Sequence, residues 1–137
     1  MNRGEDIRGL VHEMFEGIRI GDPRLFLERL HEDVVLTIPG SSSWCGVFEG
    51  REAFINAYLG RLRRSATSGV GRLEPARILV DGDWAVIESV NALTLEDGRV
   101  NLNHYCMLFR FDEGMIVEMR QYFDTAGREA VVGPFDG

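Results

Sequence analysis

The residues best placed to do chemistry lie between Asn101 and Asp124. Asn103 and Tyr105 are two apart, and successive strand side chains point to opposite sides, so the pair shares one face of a strand. Both donate hydrogen bonds to a carbonyl or an enolate oxygen. Gln121 falls on the matching face of the next predicted strand, beside Met115, Val117, Met119 and Phe123. A mostly apolar face carrying a few polar groups is what a small-molecule pocket needs. Glu88 is the carboxylate that stands out. It alternates with Trp84, Val86, Val90 and Ala92, while Ala85, Ile87, Ser89 and Leu93 take the other face. A carboxylate held among apolar side chains is a usable acid or base near neutral pH.

Other candidate chemistry is thin. His12, His31 and His104 are isolated, and none pairs with another ligand at metal spacing, so no metal is expected. Cys45 and Cys106 stand far apart in no metal or redox spacing, and read as reduced thiols in a cytoplasm. No glycine-rich run follows a strand and opens a helix at phosphate-loop spacing, so no cofactor is expected. The net charge of −7 argues against nucleic acid or an anionic membrane as partner. Arg61, Arg63 and Arg64 form the single basic run, which suits the negative C-terminal end of a helix. The N-terminus is polar from Met1 to Asp6, without a signal-peptide core, and no apolar run is long enough to span a bilayer.

These side chains need elements to hold them. With 137 residues, 45% of them hydrophobic, the chain reads as one folded domain over 1–137. Ile7, Leu10, Val11, Met14, Phe15 and Ile18 make one apolar helical stripe, closed by Gly21. Asp22 and Pro23 begin a short second helix with Leu25, Phe26, Leu27 and Leu30. A strand is expected over Asp33 to Ile38, a loop carrying Trp44 from Pro39 to Phe48, and a third helix from Gly50 to Arg64. The main sheet follows as an antiparallel meander. Its strands are Arg72 to Val80, with Pro75 signalling an edge or a bulge, then Trp84 to Leu95, then the hairpin from Asn101. Asp112-Glu113-Gly114 is the hairpin turn, and Glu96-Asp97-Gly98 joins the strands before it. Helices segregated from strands give an α+β class, with three N-terminal helices covering one face of a curved, mainly antiparallel sheet.

This order resembles the cone-shaped fold of the nuclear-transport-factor-like superfamily, and within it the SnoaL-like polyketide cyclases and ketosteroid-isomerase-like proteins. The likeness is carried by Glu32-Asp33-Val34-Val35 leading to Pro39-Gly40, and by Phe48-Glu49-Gly50-Arg51-Glu52-Ala53. Asn103-x-Tyr105, Phe109 to Gly114 and Tyr122-Phe123-Asp124 complete it. It implies a pocket inside the cone, walled by Met14, Ile18, Trp44, Phe54, Tyr58, Val86, Met107, Met119, Gln121 and Phe123. It also places the Val86, Glu88 and Val90 face inside, so that Glu88 would move a proton while Tyr105 and Asn103 hold a substrate oxygen.

Departures from the family matter as much. The ketosteroid isomerase base and oxyanion positions fall near Ile38, Met14 and Met107, all apolar here. No inward arginine between two carboxylates suggests epoxide-hydrolase chemistry. Many SnoaL-like relatives carry a glutamate where this chain has Gln121. The expectation is a cofactor-independent isomerase, cyclase or hydratase acting on an apolar oxygenated small molecule. The alternative is a non-catalytic ligand-binding or accessory domain. The outer sheet face of Leu102, His104, Cys106, Arg120 and Tyr122 is too apolar for free solvent, so a homodimer through it is expected.

Overall fold

Helix α1 (Arg3–Arg19) forms because Ile7, Val11, Met14 and Phe15 recur at helical spacing and bury one stripe. It stops where Gly21 takes φ 87°, a left-handed conformation that costs glycine little. Helix α2 (Arg24–Glu28) follows, with the Asp22 carboxylate accepting the backbone N–H of Arg24 at 3.2 Å. Strand β1 (Leu30–Ile38) buries Val34, Leu36 and Ile38. The segment expected to be loop up to Phe48 ends instead in a strand, β2 (Gly46–Glu49), paired antiparallel with Val35–Ile38. The computed structural model describes residues 3–65 and 72–136, without the side chains of 72–74. Met1, Asn2, residues 66–71 and Gly137 of the expected 1–137 domain lie outside the described residues.

The expected third helix is present, but its first part is wound as a π-helix, Ala53–Leu59, before α3 (Gly60–Ser65). Phe54 and Tyr58 both point inward from that segment. The sheet then continues through β3 (Arg72–Asp81), β4 (Trp84–Thr94), β5 (Val100–Asp112) and β6 (Met115–Tyr122). A fourth helix, α4 (Thr125–Val132), follows the last strand and was not anticipated from sequence.

Among the described residues six strands form one sheet in the order β2-β1-β6-β5-β4-β3. The β1–β6 pair is parallel and the others are antiparallel. As Pro75 suggested, β3 is an edge strand, and its register shifts between Pro75 and Arg77. Another shift lies on β6: Phe111 faces Ile116, whereas Arg110 faces Glu118, so Val117 is the extra residue of a bulge. The bulge corrects one expected face. Ile116, fully buried, takes the inward position expected of Met115 and Val117, while Met119 is buried as expected. The class is α+β, with helices on a curved, mostly antiparallel sheet, and the core fills the space between the two layers.

Candidate functional site

Cross-strand register decides which side chains meet in the interior. On β4 and β5, Ile87 faces Met107, Ser89 faces Tyr105, and Asn91 faces Asn103. On β5 and β6, Met107 faces Gln121 and Phe109 faces Met119. Directly opposed residues share a sheet face. Ile87, Ser89, Asn91, Asn103, Tyr105, Met107, Phe109 and Met119 are all buried, so this face is the inner one.

Between it and the helices lies a cavity of about 280 Å³. The helical wall is apolar: Phe15, Ile18, Phe26, Leu27, Phe54, Leu59 and Leu62. The sheet wall adds Met107 and Phe109, with polar Asn91, Tyr105 and Gln121, and Tyr58 joins them from the π-helix. Arg63, exposed at the end of α3, also borders the cavity. Among the described residues this lining contains no carboxylate and no imidazole. The volume sits at the small end for ligand pockets, and an apolar wall with few convergent polar groups is their usual composition.

The polar end of the cavity is organised from behind by Arg128. The Asp124 carboxylate caps α4, accepting the Gly127 N–H at 2.9 Å, and so sets the helix on which Arg128 points inward. Arg128 is wholly buried. Its Nη1 donates to the Tyr58 hydroxyl oxygen at 2.8 Å, and its Nη2 donates to the Tyr105 hydroxyl oxygen. Aromatic faces surround the guanidinium, with its carbon 4.1 Å from the Phe123 ring centre and 5.0 Å from that of Trp44. Cation–π attraction of about 2 kcal/mol is typical when such a pair is desolvated. Among the described residues no carboxylate forms a salt bridge with it, and its Nε is buried without a partner.

Burial disfavours the charge on Arg128, but the two tyrosine oxygens outweigh it and hold its pKa above the ordinary value. Burial pushes the Tyr58 hydroxyl up to about 12, against the pull of the Arg128 charge. Tyr58 therefore keeps its proton near neutral pH and donates it to the Gln121 Oε1 at 3.3 Å. With its oxygen engaged, Gln121 presents its Nε2 as the free donor. Tyr105 accepts from Arg128, and its own hydroxyl proton has no protein acceptor among the described residues. Two donors, Tyr105 Oη and Gln121 Nε2, are thus available at the cavity wall.

A second polar row lies next to this one. Asn103 donates from Nδ2 to Asn101 Oδ1 at 2.9 Å. Asn103 Oδ1, Asn91 Oδ1 and Ser89 Oγ are buried without a partner. Of these three residues, Asn91 borders the cavity.

The main correction concerns Glu88. It faces Cys106, not Tyr105, and so lies on the outer face of β4. Its side chain is half exposed and ion-paired with Arg77 on the edge strand at 2.5 Å. Val86 faces Leu108 and shares that outer side, so it does not wall the cavity either. Asn103 is on the inner face but turns to Asn101. Met14 and Met119 are packed in the core, outside the cavity lining. Trp44 does not border the cavity. It anchors its loop beneath the C-terminal segment, with Nε1 donating to Gly133 O at 2.8 Å and its ring against Phe135. Phe123 packs on Tyr105, ring centres 4.7 Å apart, and on Arg128. Ile18, Phe54, Tyr58, Tyr105, Met107 and Gln121 are brought to the cavity together.

Asn91 and Arg128 were missed. Asn91 carried a signal, because it continues the Ala85, Ile87, Ser89 alternation. Arg128 carried a weaker one: Asp124 is a residue type favoured at helix N-caps, but a charged residue in a short helix normally reads as solvated. Of the outer face, Leu102, His104 and Tyr122 are exposed, and Arg120 Nε donates to the Tyr122 hydroxyl at 3.2 Å. Among the described residues no group of three or more His, Cys, Asp or Glu side chains is arranged to hold a metal ion. No helix among the described residues is long and apolar enough to cross a membrane.

Helices closing a curved six-stranded sheet over an apolar cavity are the fold that NTF2-like proteins share with this chain. An NTF2-like protein from Burkholderia pseudomallei superimposes with TM-score 0.77 at 23% identity, over 96% of this chain and 98% of that one. TerC, co-crystallized with polyporic acid, gives TM-score 0.74 at 20% identity, over 90% and 95%. A putative SnoaL-like polyketide cyclase from Jannaschia gives 0.70 at 17% identity, over 91% and 90%. The SnoaL-like domain model matches residues 11–119, and the chain belongs to that family. No curated protein matches the chain in sequence.

Proposed function

We propose that this protein binds a small apolar molecule carrying an oxygen acceptor, held at the Tyr105 and Gln121 end of its cavity. The observation that carries the reading is the pair of unengaged donors, Tyr105 Oη and Gln121 Nε2, at the polar end of an otherwise apolar wall. Apolar side chains supply the binding energy, about 25 cal/mol per Å² buried, and the donors fix orientation.

Titration with 2-naphthol, followed by the probe's own fluorescence, tests this. Saturable one-to-one binding tighter than about 1 mM, abolished by Leu59→Trp in the helical wall, is expected. Binding that Leu59→Trp leaves untouched, or no saturation, overturns the reading.

Catalysis is the second reading, favoured by the same donors. Donors held in a dry site stabilise negative charge developing on a substrate oxygen, by about 3 kcal/mol for one donor. On this reading the protein is an isomerase or cyclase of the electrophilic kind, with the base supplied by the substrate or by solvent. We further propose a homodimer through the outer face of Leu102, His104, Cys106, Arg120 and Tyr122, in a reduced cytoplasmic protein. Sedimentation showing a dimer at micromolar concentration supports the assembly, and a monomer overturns it.

A further inference from the structure

We infer that the cavity takes its ligand as an anion, an apolar body bearing a carboxylate, enolate or phenolate oxygen. The inference rests on the pocket reading above and deepens it. Arg128 is fully buried and carries its charge with no carboxylate in salt-bridge reach among the described residues. A buried charge is normally paired, because desolvation costs several kcal/mol per ion. Here the guanidinium is met by two neutral phenol oxygens and by ring faces, so a full positive charge stands uncompensated.

Both phenols carry that charge toward the cavity. Arg128 donates to Tyr105, whose proton is then free for a ligand, and to Tyr58, whose proton goes to Gln121 Oε1. Each bond polarises the next, which strengthens the terminal donors. An anionic oxygen between Tyr105 Oη and Gln121 Nε2 would receive two charge-assisted hydrogen bonds, with the guanidinium one residue behind. Arg63 bordering the same cavity adds a second positive group, and no acidic residue among the described ones lines it to repel an anion. The chain as a whole carries −7, so this selectivity is local.

The test uses two probes of nearly equal shape, 2-naphthoate and 2-naphthamide, titrated against the natural chain, Arg128→Met, Tyr105→Phe and Arg63→Gln. The natural chain is expected to bind the anion at least about tenfold tighter than the amide, the difference between a charge-assisted and a neutral hydrogen bond. Arg128→Met should erase that preference while still binding the amide. Tyr105→Phe, which removes one hydroxyl and keeps the ring, should reduce it severalfold, and it decides the matter if Arg128→Met does not fold. Equal or tighter binding of the amide by the natural chain overturns the anion proposal and leaves the pocket reading intact. A preference lost in Arg63→Gln but kept in Tyr105→Phe places the anion at the rim and also overturns it. If neither probe saturates, the pocket reading itself falls, and this inference with it.

Discussion

Arg128 and Tyr58 meet across 70 residues of sequence through a 2.8 Å hydrogen bond in which the guanidinium donates to the phenol oxygen. That contact ties α4 to the π-helix and orients the Tyr58 proton toward Gln121. It leaves Gln121 Nε2 as a fixed donor.

Stability should fall in alkali because of Tyr58. Its folded pKa is about 12 against 10.0 for the free side chain. Below the lower value both states keep the proton and the contribution is complete. Between the two the unfolded chain ionises first, so stability falls as pH rises toward the folded value. Urea unfolding across this alkaline range should show a decline that Tyr58→Phe flattens. An equal decline in both proteins would contradict the assignment.

Arg128→Met should fold with stability within about 1 kcal/mol of the natural chain, or above it. Replacing a buried, poorly compensated charge by an apolar side chain of similar length is often neutral or favourable. Retained stability with lost anion preference would mark Arg128 as a functional group. A loss of more than about 3 kcal/mol, the scale of a broken buried network, would make it a structural one.

Glu88→Gln should change neither probe binding nor stability by more than about 1 kcal/mol. Its pair with Arg77 has both side chains at least half exposed, and such pairs contribute little. A large loss of binding on this substitution would put Glu88 back at the site.

Trp44→Ala should cost about 3–5 kcal/mol, the range for deleting a large buried aromatic. Trp44 is wholly buried, contacts the Tyr58 and Phe135 rings, and satisfies Gly133 O. Equilibrium denaturation would measure it, and a loss under about 1 kcal/mol would contradict the anchoring role.

Much of this was legible in residue order. Helical spacing in α1, the Pro75 edge and the inward Asn103 and Tyr105 all follow from local periodicity, and local periodicity survived folding. Glu88 shows where that reasoning stopped short. Alternation divides β4 into two faces but does not say which is inside; that depends on pairing. The loop of Glu96, Asp97 and Gly98 has three residues, so Leu95 pairs with Arg99 and Glu88 is carried opposite Cys106. Tyr105 on the inner face therefore requires Glu88 on the outer one. Turn length, rather than the family likeness, decides the face that Glu88 takes. The Val117 bulge is different, because nothing in the Met115 to Gln121 pattern announces an extra residue. Arg128 is different again: its burial depends on rings supplied by three distant segments, which no window along the chain contains.

The central claim is that a ligand oxygen sits between Tyr105 and Gln121. A crystal structure of the chain with 2-naphthoate tests it most directly. The account predicts the carboxylate within about 3 Å of both Tyr105 Oη and Gln121 Nε2, with the rings against Phe54 and Met107. A naphthoate bound with its carboxylate turned toward the solvent mouth, or outside this cavity, would contradict it.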